Sequence, residues 1–99
     1  MILEPINRAT TLLSRMRWNV DLVGDKDGVN LEFTAPDLFL NVSPTIVRVY
    51  WNGQRLREGA SEDFEASESG GAGAGFDTIT LTGPPPAAGD TLTADYVLK

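Results

Sequence analysis

The dipeptide Asn52-Gly53 constrains this chain more than any other feature. It sits inside "VRVYWNGQRLREG", Val47 to Gly59, between two runs whose residues alternate in polarity. A two-residue type I′ turn needs positive φ at both central positions, and Asn-Gly is the pair that supplies it most readily. Such a turn sets the register, pairing Trp51 with Gln54, Tyr50 with Arg55, Val49 with Leu56 and Arg48 with Arg57. The apolar residues Val47, Val49, Trp51 and Leu56 then share one face, so turn geometry and hydrophobic pattern agree. The opposite face carries Arg48, Tyr50, Arg55 and Arg57.

The same period of two runs through most of the chain. Met16, Trp18, Val20 and Leu22 alternate with polar residues, and so do Val29, Leu31, Phe33 and Ala35. Each set predicts a strand with one buried face, which places both tryptophans toward the core. "DLFLNVSP" predicts an edge strand or a loop. Phe64 with Ala66, Ile79 with Leu81, and Leu92, Ala94, Tyr96 and Leu98 complete the inward positions. "GDKDG", "SGGAGAG" and "GPPPAAGD" read as turns and loops, since that much glycine and proline disfavours regular structure. The expectation is an all-β fold: a small antiparallel β-sandwich of about seven short strands. Residues 1–15 break the pattern. Ile6, Ala9, Leu12, Leu13 and Met16 fall at helical spacing, so these residues predict an N-terminal arm or short helix before a domain spanning 16–99.

Composition narrows the chemistry. The chain has neither histidine nor cysteine, which removes the commonest general base, the commonest metal ligand and any disulfide. No apolar run approaches the length of a membrane span, and the N-terminus lacks a secretory pattern. Among residues 1–20, Arg8, Arg15 and Arg17 stand against Glu4 alone, a net of +2, so the rest carries −8 of the total −6. Such a balance predicts no nucleic-acid partner. "GDKDGVNLE" fails as a calcium loop: with Gly28 at the sixth position, Val23 and Thr34 fall where ligands are required. "SGGAGAGF" lacks the Lys-Ser or Lys-Thr of a P-loop and the glycine spacing of a dinucleotide site. The carboxylates from Glu58 to Asp77 predict a solvated face. The expectation is a protein without catalytic residues, cofactor or metal. The arginine-rich face then predicts contact with an acidic partner or with a second copy.

Three segments together resemble a module of tailed-bacteriophage virion proteins: "DGVNLEFTAP", "IVRVYWNGQRLREG" and "EDFEASESGGAGAGFDTITLTGPPPAAGDTLTADYV". In that module an "xDGxNxxFT" opening precedes a "VyvNGxrLxxGxDY" hairpin. A Gly-rich turn, a "TITL" strand, a "P-x-x-GD" turn and a "DY" strand follow. Here Phe64 replaces the usual tyrosine after Asp63. The resemblance spans about residues 24–98 and implies a β-sandwich in a head-decoration, tail-fibre or baseplate protein, localised to the virion after assembly in the host cytoplasm. It transfers no catalytic residue. A lone module with a basic arm suits a capsid decoration (cement) protein that binds the major capsid protein and forms homo-oligomers. A neck, tail or baseplate adaptor is the alternative, and a carbohydrate- or receptor-binding adhesin module exposing Trp51 and Tyr50 is the second. The candidate partner contacts are Arg8, Arg15, Arg17, Arg48, Tyr50, Arg55 and Arg57.

Overall fold

The computed structural model describes residues 15–41 and 47–99. The arm through Ser14, with Arg8, lies outside the described residues, as does the segment 42–46. Seven strands follow one another: β1 (Met16–Asp21), β2 (Glu32–Phe39), β3 (Arg48–Trp51), β4 (Gln54–Arg55), β5 (Phe64–Ser67), β6 (Phe76–Leu81) and β7 (Leu92–Val97). They form two antiparallel sheets, one ordered β1-β7-β3-β4 and the other β2-β6-β5. The protein is a small β-sandwich, as the alternation predicts.

Both sheets feed one core. Phe33, Phe39, Phe64, Ile79 and Leu81 come from the three-stranded sheet, and Val49, Leu92, Ala94 and Tyr96 from the four-stranded one; all are buried. Phe39 lies at the centre, with its ring 5.0 Å from that of Tyr96 and 6.1 Å from that of Phe76. Burying a side chain of this size contributes about 1.5–3 kcal/mol, so a handful of such residues can hold a domain this small. Along β2 the inward positions are Phe33, Ala35, Asp37 and Phe39. The carboxylate at Asp37 is made tolerable by the Tyr96 hydroxyl, which donates to its Oδ2 at 2.9 Å. Burial pushes the Tyr96 phenol well above its usual range, and the bond to Asp37 acts in the same direction.

β2 also joins the two sheets. Val23, just past β1, exchanges backbone bonds with Thr34 at 2.7 and 2.8 Å. At the other end Leu40 N–H donates to Val97 and Lys99 N–H to Leu38. The exposed edge of β2 is thereby partly covered at both ends, which limits its use as a template for another strand. The "DLFL" segment is the second half of this edge strand, and Pro36 sits there because an edge position can spare an N–H.

Two loops are organised by carboxylates. Asp27 Oδ1 accepts the N–H groups of Val29 and Asn30, both at 2.9 Å, an Asx turn that occupies the "DGVN" stretch. This turn corrects the expected strand: β2 starts at Glu32, and Val29 is 77% exposed rather than buried. In the glycine-rich loop, Glu68 accepts the N–H groups of Gly73 and Gly75, while Asp77 accepts from the Ser69 N–H and hydroxyl. Lys99 donates to the Gly73 carbonyl. The carboxylates between Glu58 and Asp77 are therefore not simply solvated; several close loops by taking backbone N–H bonds.

Candidate partner-binding face

The outer surface of the four-stranded sheet is built by register. Asp21 on β1 faces Thr93 on β7; Thr93 faces Tyr50 on β3; Tyr50 faces Arg55 on β4. These four side chains form one outward row, crossing strands about 4.8 Å apart. In the next row Asp95 on β7 stands opposite Arg48 on β3. Opposite charges thus meet across strands, which favours the pairing.

Trp18 reaches this face through a break in β1. Arg17 pairs with Tyr96, but Val20 pairs with Ala94, so β1 holds one more residue than β7 between those two pairs. Asn19 absorbs the difference at φ 55, in the left-handed region that asparagine tolerates better than most residues. Its N–H donates to Asp95 Oδ1 at 2.6 Å, which fixes the bulge to β7. The phase of the strand reverses there. Val20 and Leu22 point inward, whereas Met16 faces outward beside Val97 and Trp18 is 61% exposed. The expectation that Trp18 faces the core is corrected; Trp51 does pack against the core. Alternation alone could not reveal this, because a bulge restarts the same period in the opposite phase.

A shallow groove of about 600 Å³ runs between Trp18, Asp21 and Asp95 on one side and Tyr50 and Gly53 on the other. Its far end is closed by paired turns. Asn52 (φ 51) and Gly53 (φ 82) form the positive-φ pair of a type I′ hairpin, with Tyr50–Arg55 and Trp51–Gln54 in register as predicted. The Asn52 amide donates to Asp90 Oδ1 at 3.0 Å and accepts from the Thr91 N–H at 2.8 Å. Asp90 is held below the usual carboxylate range first by the Ala87 N–H and then by the Asn52 amide.

The predicted contact residues divide. Arg48, Tyr50 and Arg55 share the outer face. Arg57 does not, and the predicted pairing of Arg48 with Arg57 is corrected. β4 ends at Arg55, the Leu56 N–H still reaches Val49, and then Asp63 Oδ2 captures the Arg57 N–H at 2.9 Å. The chain turns away, and Arg57 lines a second groove with Val47, Glu58 and Phe64, which Arg55 also borders. Arg15 is exposed at the start of β1, where its carbonyl accepts the Leu98 N–H. Arg17 is in phase with Tyr96 and lies close enough for its charge to be felt there. The residues that sequence reasoning missed are Trp18, Asp21, Thr93 and Asp95. Trp18 had a sequence signal, a large aromatic next to an Asn, but its alternation with Val20 masked it.

Among the described residues no three carboxylates converge where they could hold a metal ion. Comparison of the chain with protein-family models, with curated proteins and with solved structures gave no match.

Proposed function

We propose that this chain is a non-enzymatic structural protein of a bacteriophage virion, a decoration protein that binds the head shell. The observation that carries the reading is the order of its motifs, from "DGVNLEFT" through "WNGQRL" to "GPPPAAGDTLTADY". Its two best-matched turns, Asn52-Gly53 and Gly89-Asp90, touch each other through the Asn52 amide. Motifs that meet in space are expected to occur together, since each shapes the other's geometry. The arm contributes Arg8 and Arg15, and Arg17 follows it, so the N-terminal end offers positive charge to an acidic shell. Arg48 and Arg55 offer a second basic pair on the outer sheet face. The same chemistry would serve a neck or tail adaptor, which differs in location and copy number.

Quantitative mass spectrometry of purified particles tests the reading. A decoration protein should be present at a copy number close to that of the capsid protein; a tail component should be scarce. Absence from particles refutes both. In co-sedimentation with particles, a chain lacking residues 1–14 should bind more weakly than the full chain. A chain carrying Arg48→Glu with Arg55→Glu should bind more weakly than the parent at low salt and depend less on salt concentration. Binding equal to the parent in either case removes that element from the contact.

A further inference from the structure

The groove beside Trp18 has the chemistry of a saccharide site, and we infer that it binds a hexopyranose unit of a carbohydrate. This inference goes beyond the virion reading and does not rest on it.

Trp18 is the first argument. A tryptophan 61% exposed on the face of a sheet leaves most of its indole in water, which is unfavourable unless something covers it. The exposure is also not accidental in origin. It requires a bulge, a non-glycine residue at positive φ, and the Asp95 carboxylate committed to the Asn19 N–H. Strained backbone of this kind persists where the surrounding structure over-determines it, and such sites gather around ligands.

The polar complement is the second argument. Pyranose rings present one face of C–H groups and a rim of hydroxyls. The indole suits the first. Around it stand the Asp21 carboxylate, the Thr93 hydroxyl, the Tyr50 phenol and the second oxygen of Asp95, all lining one groove. Hydroxyl-to-carboxylate bonds are charge-assisted and orient a ligand strongly. A few placed polar groups beside an aromatic surface is the general anatomy of a small-molecule site.

Charge balance decides among ligands. Asp21 and Asp95 alone would draw a cation to the indole. But Arg48 faces Asp95 across the sheet, and Arg55 ends the row that Asp21 begins. Asp21 and Asp95 line the groove itself and repel an anion there, while Arg48 and Arg55, outside its lining, offset them enough that no cation is drawn strongly. A protein partner would be expected to bring a wide apolar core to its interface. Within the groove one indole stands among mostly polar side chains. A neutral polyol with one apolar face is the ligand that satisfies both features.

The test uses the full chain, titrated with methyl glycosides and short oligosaccharides of glucose, galactose, mannose and N-acetylglucosamine, followed by tryptophan fluorescence and calorimetry. At least one sugar should bind saturably by about 10 mM, with a blue shift as Trp18 is covered. Trp18→Ala should weaken binding about tenfold or more while leaving thermal melting unchanged, and Trp18→Tyr should retain part of it. No saturable binding across the panel overturns the inference. So does equal binding by Trp18→Ala with a preserved melt. Self-association abolished by Trp18→Ala, without sugar binding, would make the face a protein interface instead.

Discussion

Asn52 and Asp90, 38 residues apart, are joined by a hydrogen bond of 3.0 Å from the Asn52 amide to Asp90 Oδ1. The contact locks the β3–β4 hairpin to the turn that launches β7. The Asn52 backbone N–H adds a bond to the Thr91 carbonyl at 2.9 Å. One asparagine therefore does two things: it takes the first positive-φ position of its own turn and its side chain closes the neighbouring one. Gly53 and Thr91, the chain neighbours of this pair, line the groove beside Trp18.

Substitution at Gly53 tests the turn. Its φ is 82 and a Cβ placed there would meet nothing within 4 Å, so only backbone strain opposes a side chain. Gly53→Val should destabilise the protein by about 1–3 kcal/mol, read as a lower denaturant midpoint. Gly53→Asn should cost much less, because asparagine visits this region. Equal midpoints for Gly53→Val and the parent would contradict the type I′ assignment.

Asn19 offers a second, independent test. Asn19→Val places a β-branched residue at φ 55 and should cost about 1–3 kcal/mol, whereas Asn19→Gly should be nearly neutral. Because the bulge sets the phase of Trp18, Asn19→Val should also move the Trp18 emission. An unchanged midpoint and spectrum would show that the bulge survives without a residue suited to it.

Tyr96 donates to Asp37 inside the sandwich, and Tyr96→Phe should cost about 1.5–3 kcal/mol, the range for a bond to a charged acceptor. The phenol ionises only above its ordinary value while folded, first because burial disfavours the charged form. A raised folded pKa means stability that is fully present below about pH 10 and declines as pH rises past it. Denaturant midpoints should fall above that pH in the parent and fall less in Tyr96→Phe. A parallel decline in both proteins would place the alkaline sensitivity elsewhere.

Acid acts through the loop carboxylates. Asp27 is held below the usual range by the Asn30 and Val29 N–H groups, Asp77 by the Ser69 hydroxyl and N–H, and Asp90 by the Ala87 N–H. Lowered folded pKa values give stability that is complete above about pH 4 and lost as pH falls through them. Midpoints should be flat from neutrality to about pH 5 and then drop. Asp77→Asn should show a shallower acid limb than the parent. A decline that begins well above pH 5 would require a different titrating group.

Much of this architecture is written in local sequence. Alternation of Val47, Val49 and Trp51 marks a strand because successive side chains point to opposite faces, and Asn52-Gly53 marks its hairpin because few other pairs accept two positive φ values. The same logic locates the inward face of β7, from Leu92 to Tyr96, and the loops at 24–28 and 70–75. Those signals depend on a few neighbouring residues and need no knowledge of the fold.

Three features lay beyond that reach, and each was decided by a side chain outside the strand it acts on, two of them far away in the chain. Trp18 turns outward because Asp95 accepts the Asn19 N–H and stabilises a bulge between Arg17 and Val20. Arg57 leaves the hairpin because Asp63 takes its N–H. Asp37 points inward because Tyr96 is there to bond it. Sequence determined that this chain forms paired strands with one buried face, since that follows from periodicity and turn stereochemistry. Only the tertiary structure decided which aromatic reaches water and which charges share a face, because a hydrogen bond between residues far apart in the chain can reverse a strand's phase without altering its period.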